Sequence, residues 1–264
     1  MDWEKISAKL RMRVIELSFK AKTAHLASSL STIDIITVLY HSILKVNLNN
    51  LENDNRDRFI LSKGHAATAL YAVLNYYNII SDEELDSYAK KGSLLEEHPS
   101  PKLRGVEAAT GSLGHGLSIS NGFALGAKIK SKDYKCYVML SDGECNEGSV
   151  WEAAMFSSKH SLNNLTGIID FNKWQATGRS QNVLSLDPLV EKWTSFGWHV
   201  LEIDGHNHNE IFNAFKEDSG DKPKMIIANT IKGKGVSFME DDNNWHYRSP
   251  SIDEVAKAKR ELGL

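Results

Sequence analysis

Five short apolar runs alternate with stretches of helical periodicity along this chain, and that alternation limits the fold more than any other feature. The runs are RFIL (58–61), CYVMLS (136–141), LTGIID (165–170), HVLEI (199–203) and MIIAN (225–229). Their length and their β-branched content suit buried strands. Helical patterns follow or separate them at 65–78, 114–130, 149–160 and 207–217. Ile6, Leu10, Val14 and Leu17 recur at helical spacing, so residues 2–23 are expected to form an amphipathic helix. Ser31 with Asp34, and Ser81 with Glu84, have the spacing of capping boxes that open two further helices. Strands joined through helices pair in parallel. The expected fold is a doubly wound, mostly parallel α/β sheet flanked by helices, one domain over residues 1–264. Ligands of such sheets sit beyond the carboxyl ends of the strands.

Composition narrows the function classes. Lys plus Arg is 31 and Asp plus Glu is 34, a formal charge of −3, which gives no electrostatic reason to expect nucleic acid. No apolar run approaches the length of a membrane span. The opening MDWEKISAKLRMRV mixes charges through its apolar positions, unlike a signal peptide. Two cysteines, Cys136 and Cys145, suggest neither a disulfide framework nor a metal site. A cytoplasmic protein that avoids membrane and nucleic acid is the expectation.

The chemistry concentrates at strand ends. After CYVMLS comes Asp142-Gly143, and after the next strand comes Asp170-Phe171-Asn172-Lys173. A strand-end carboxylate can hold a hard cation, and Gly143 lets backbone approach a phosphate closely. Asn172 and the carbonyl of Trp174 can offer oxygens to the same ion. A DG pair alone is an ordinary turn; its pairing with the later Asn carries the information. Gly111, Gly114 and Gly116 precede an apolar helix, where they suit either a ligand surface or tight packing. Lys232 and Lys234 follow the last strand and either balance a diphosphate or are solvated; Lys232 is the favoured one.

The segment SDGECNEGSVWEAAMFSSKHSLNNLTGIIDFNKWQATG resembles the metal-site region of transketolases, and the similarity runs from the first helix to about Pro250. The resemblance implies a thiamine-diphosphate-binding fold, with thiamine diphosphate and Mg²⁺ (Ca²⁺ or Mn²⁺ substituting) as cofactors. By that resemblance Asp142, Asn172 and the Trp174 carbonyl are the metal ligands. Gly143, Glu144, Asn172 and Lys232 hold the diphosphate end, while Gly111, Ser112 and Leu113 line the thiamine pocket. Four of the ten histidines fall in family-like motifs: His25 in AHLASSLS, His65 in LSKGHAATALY, His98 in EEHPSP and His246 in NNWHYRSP. The resemblance makes them catalytic, with His65 and His246 also touching the cofactor. Imidazoles suit this role because ketol transfer moves protons at sugar hydroxyls. Glu147 and Glu152 match glutamates at the subunit contact that link paired sites. Ser141 and His115 depart from the usual Gly and Gln of single-chain members. His206 is expected to cap or pack, and His41, His160, His199 and His208 to be structural.

In transketolases a glutamate on a second, pyrimidine-binding domain activates the cofactor. That domain would begin near residue 250, whereas this sequence ends at Leu264. The expectation is therefore the N-terminal subunit of a split transketolase. It would act on sugars or sugar phosphates in an α₂β₂ assembly with a C-terminal subunit that carries the pyrimidine domain. Two other readings stand beside it: the α chain of a 2-oxoacid dehydrogenase, and a fold relative acting only as a binding partner. WEAAMFSSKH, the KGKG loop and the four histidines weigh against the first, and intact Asp142, Asn172 and the four histidines against the second. The stretch after His98 weighs against deoxyxylulose-phosphate synthase.

Overall fold

The computed structural model describes residues 2–46 and 50–264. All five expected strands form: β1 Arg58–Leu61, β2 Cys136–Ser141, β3 Leu165–Phe171, β4 His199–Asp204 and β5 Lys224–Asn229. They make one sheet in the order β1-β2-β3-β5-β4, and every neighbouring pair is parallel. The side-chain alternation of a strand divides the core in two. On β2, Tyr137 and Met139 join one apolar cluster while Cys136, Val138 and Leu140 join the other. Both faces are covered, which is why these runs read as continuously apolar.

The first face carries α1 (Trp3–Ala21), α2 (Leu26–Leu30), α3 (Ile33–Val38), α4 (Ala67–Tyr76), α10 (His208–Lys216) and α11 (Ile252–Glu261). The second carries α6 (Gly116–Ile129), α7 (Gly148–Lys159) and α9 (Leu189–Ser195). Two short helices, α5 (Asp82–Asp86) and α8 (Ser180–Leu184), lie in the connections. Among the described residues no helix is long and apolar enough to cross a membrane.

Helix starts show where sequence spacing succeeded and failed. Ser81 and Glu84 form a true capping box at α5, and Ser251 with Glu254 forms another at α11. Ser31 and Asp34 do not. Thr32 is the residue before α3, Ser31 is fully buried, and both polar groups turn toward distant partners. Ser31 reaches Asp170, and Asp34 pairs with Arg11. The tertiary ion partners outcompete the local cap because both groups are buried, where an unpaired charge is costly.

The sheet's centre and edge differ in what they contribute. Leu140 is wholly buried on central β2, whereas Leu201 on edge strand β4 is half-buried. Leu140→Ala is expected to cost about 2–5 kcal/mol in urea unfolding. Leu201→Ala should cost clearly less, and equal losses would contradict this arrangement of the core.

Candidate functional site

Because all five strands run the same way, their carboxyl ends open onto one edge. Ser62–His65 follow β1, Asp142–Glu144 follow β2, Asn172–Gln175 follow β3, Gly205-His206 follow β4 and Thr230–Lys234 follow β5. At the centre of that edge is an ion pair the sequence reading missed. Lys63 and Asp170 are each 0% exposed and in direct contact. The Asp170 carboxylate also accepts from Ser31 Oγ at 2.7 Å, from Asn172 Nδ2 at 3.1 Å and from Thr230 Oγ1. Lys63 Nζ donates in addition to the Ser28 carbonyl at 3.0 Å. Burial alone would raise Asp170, but the Lys63 ammonium and these hydrogen bonds hold its carboxyl below the usual range. A signal existed: Lys63 stands in the LSKGH motif and Asp170 in DFN, each read for its other members.

Asp142 is buried beside this pair. It accepts from Ser180 Oγ at 2.7 Å and from the Gly143 N–H at 2.9 Å, with no cation in contact. Burial pushes its carboxyl up to about 6, and the nearby Asp170 adds to the rise. Asn172 is also buried, and its Oδ1 accepts from the Trp174 N–H at 3.1 Å, so the two expected oxygen donors of β3 sit together. The Trp174 ring is held under the Arg179 guanidinium at 3.9 Å, and its Nε1 donates to Asp241 at 2.8 Å. Among the described residues no three His, Cys, Asp or Glu side chains are placed to hold a metal together. The donor set expected from the sequence is one carboxylate, one amide oxygen and one backbone carbonyl. Such a set leaves much of a Mg²⁺ ion's coordination to phosphate oxygens and water.

Two observations fit a cation with its anionic ligand here. A buried Asp142 that Lys63 and Lys232 reach through space, with no direct ion pair, is an environment a divalent ion would relieve. Gln175 Nε2 is buried without a hydrogen-bond partner, and its side chain lies across Gly143. A Cβ on Gly143 would come 3.1 Å from Gln175 Cγ. An unpaired buried N–H costs about 1–3 kcal/mol, which a phosphate oxygen over Gly143 would remove. Gln175 went unnoticed in the sequence because nothing about a Gln after Trp174 marks it.

The four histidines converge from four separate segments. The His25 ring centroid lies 4.9 Å from His246, 5.5 Å from His65 and 6.3 Å from His98. His25 adopts a left-handed conformation (φ 69°) as α2 begins, and its N–H donates to the His246 carbonyl at 2.7 Å. His98 is exposed at the rim, where Gly111 passes it so closely that a Cβ would meet His98 Cδ2 at 2.5 Å. Gly111 has φ 137°, so both space and backbone require glycine there. Leu113 is half-buried and Ser112 exposed in the loop that follows Gly111.

Three of these histidines are shifted below the ordinary imidazole range. Burial lowers His25, lowers His65 far below the usual range, and brings His246 down to about 3. Lys232 and Lys63 add to each shift. Lys232 is wholly buried, donates to Asn243 Oδ1 at 2.6 Å and lies 3.1 Å from His246 Nδ1. Burial, with Lys63 nearby, lowers its ammonium to about 8. Lys234 instead pairs with Glu240 at 3.5 Å, which separates the two lysines left open by the sequence.

Glu144 ties loops of the site together. Its side chain turns inward, fully buried, and accepts from Gly114 N–H at 2.9 Å, Ser141 N–H at 3.2 Å and Ser62 Oγ. Three donors from three loops satisfy a carboxylate better than an open pocket does, so it ties the glycine loop to the strand ends. Glu147 and Glu152 are exposed at the start of α7 and on it, on the same helix as Met155 and Phe156, 54% and 40% exposed.

Fold and site together define a thiamine-diphosphate-binding domain of the transferase type, and comparison with known proteins agrees. The family described as the transketolase thiamine diphosphate binding domain matches residues 3–264. The chain is 42% identical to one of the apulose-4-phosphate transketolase subunits of Phocaeicola vulgatus, covering 97% of this chain and 92% of that one. It is 40% identical to the 6-deoxy-6-sulfo-D-fructose transketolase subunit SqwG of a Clostridium species, over 88% of this chain and 85% of that one. The crystal structure of Campylobacter jejuni transketolase superposes with a TM-score of 0.93 at 32% identity, covering all of this chain and 43% of that one. The chain thus spans less than half the length of that single-chain enzyme. It belongs to the transketolase family.

The buried histidines carry a signed pH dependence. A folded-state pKa below the unfolded value means the unfolded chain takes up the proton first. Stability is therefore full above about 6.5 and lost as pH falls toward about 3 for His246. Asp142, raised to about 6, acts in the opposite sense in metal-free protein. Melting temperature is expected to fall between pH 6.5 and 4, and to fall less steeply in His246→Asn. Parallel profiles for the two proteins would contradict the burial of a neutral His246.

Proposed function

We propose that this chain, as a single diphosphate-binding unit, is the N-terminal subunit of a two-chain transketolase. It would move a two-carbon ketol unit from a ketose to an aldose, using sugars or sugar phosphates. The observation that carries this reading is the convergence of four histidines above the Asp142 and Asn172 strand ends. Asp142, Asn172 and the Trp174 carbonyl would hold Mg²⁺. Gly143, with Lys232 and Gln175 beside it, would meet the diphosphate, and Gly111, Ser112 and Leu113 would border the ring system. Thiamine diphosphate, when bound, supplies the carbon nucleophile and the electron sink of the reaction.

The protein's own share is positional. His25 and His65, held neutral, each offer one donor and one acceptor to sugar hydroxyls, and His246, whose Nδ1 accepts from Lys232, offers its Nε2–H, without a charge to desolvate. A developing alkoxide would be met by these fixed donors. His98 at the exposed rim faces the incoming sugar. Lys232 retains its charge at neutral pH and would offset the diphosphate. Asp142→Ala is expected to abolish ketol transfer by the reconstituted enzyme while leaving its melting behaviour close to wild type. Full activity in that variant would sink the metal assignment.

A partner is part of the proposal. Relatives named as transketolase subunits match this chain nearly end to end, and the exposed Glu152, Met155 and Phe156 of α7 suit an intersubunit contact. The partner would bring the pyrimidine domain and its activating carboxylate, in an α₂β₂ assembly. The purified chain with thiamine diphosphate and Mg²⁺ should show no turnover, and adding the candidate partner should restore it. Robust turnover by the chain alone would overturn the two-chain reading.

A further inference from the structure

Behind the histidine site lies a buried charged cluster that the proposed mechanism does not use. Asp34, 3% exposed, is held by Arg11 from α1 and by His206 and His208 from the segment after β4. Arg11 Nη1 donates to Asp34 Oδ1 at 3.0 Å, and His206 Nδ1 lies 2.8 Å from Asp34 Oδ2. Two of these groups also reach the segment that carries Lys232. Ile231 N–H donates to His206 Nε2 at 2.8 Å, and Arg11 Nε donates to the Lys234 carbonyl at 2.9 Å. A donor at Nε2 leaves that nitrogen unprotonated, so the Nδ1–H faces the carboxylate. Gly235 packs flat on Arg11; a Cβ there would come 2.6 Å from Arg11 Cδ. Gly233 N–H donates to the Ala27 carbonyl at 3.0 Å, joining the same segment to the turn that follows His25.

We infer that Arg11, Asp34 and His206 are positioning residues that brace the 231–235 segment and so set the Lys232 ammonium against His246 and the diphosphate end of the site. The inference rests on the reading that Lys232 works there. The segment lies beyond β5, and on each side of Lys232 one backbone group, Ile231 N–H and the Lys234 carbonyl, bonds to a side chain of this cluster, while Gly233 N–H and the Lys232 carbonyl bond to the backbone of Ala27 and Asp241. A charge that must meet a phosphate within a fraction of an ångström gains from such rigidity. The buried charge on Asp34 is explained in the same way: it orients one donor, Arg11, and one acceptor, His206 Nε2, that together grip one loop. His208 completes the shell, with Nε2 3.2 Å from Asp34 Oδ1 and 3.0 Å from Ser7 Oγ.

The test is a double-mutant cycle on the reconstituted two-chain enzyme, reading thiamine diphosphate affinity by calorimetry in Mg²⁺. His206→Ala alone is expected to weaken binding about 3- to 10-fold. In a Lys232→Ala background the same change should alter affinity by less than about 2-fold, because the group being positioned is gone. An undiminished loss in that background would overturn the inference, as would unchanged affinity in His206→Ala. If Lys232→Ala itself leaves affinity unchanged, the placement of Lys232 at the site fails first, and the brace then positions nothing. Should His206→Ala not assemble, Arg11→Lys keeps the charge beside Asp34 while giving up the guanidinium fork. Amide exchange at Ile231–Gly235 should then rise relative to wild type, and unchanged exchange would count against the brace.

Discussion

The contact between Lys63 and Asp170 organises the working edge of this molecule. Taking both charges out of water is expensive, and such a pair is tolerated only when its remaining hydrogen-bonding capacity is met. Here the capacity is met by the very segments that build the site: Ser28 and Ser31 from α2 and its end, Thr230 after β5 and Asn172 after β3. Several loops are therefore pinned to one carboxylate and one ammonium. A parallel sheet brings strand ends to a common edge, but it does not by itself set the distances between the loops that leave them. The ion pair does so, and Glu144 repeats the device one layer away by joining Ser62, Ser141 and the glycine loop.

The same pair explains the electrostatics around it. Lys63 and Lys232 both lower the histidines and raise the cost of a further positive charge nearby. Neutral imidazoles beside buried ammonium groups make a donor-rich, weakly charged surface suited to hydroxyl-bearing ligands. On the Asp142 side the balance reverses. A buried carboxylate in no direct ion pair sits next to a second carboxylate, and burial raises it despite the nearby Lys63. One edge of one sheet thus carries a raised carboxylate, Asp142, and a cluster of neutral imidazoles.

Much of the architecture was legible from patterning. The five apolar runs became the five strands nearly residue for residue, since burial on both faces leaves a continuous apolar signature. The Ser81 capping box was legible because it is a local interaction between neighbours. Ser31 and Asp34 carried the same local pattern and were claimed by partners far away in sequence, Asp170 and Arg11. The convergence of His25, His65, His98 and His246 was inferable from motif and topology, because a parallel sheet gathers its loops. Their protonation was not, because it depends on how much water reaches each ring.

What the sequence alone determined is the alternation of elements, the parallel sheet and the residue types at each strand end. Those follow from short-range periodicity and from a family resemblance readable in one segment. What only the tertiary structure decided is which groups are consumed in holding the site and which are left to act. Glu144 and Asp170 are acidic and lie near the same turns as Asp142. Yet each accepts three or more hydrogen bonds, while Asp142 accepts two and has no direct ion pair. Lys232 and Lys234 stand two residues apart, yet one is buried against His246 and the other faces Glu240. The physical reason is the same in each case. A side chain's partners, burial and charge state are set by segments distant in the chain, and no local pattern records how those segments meet.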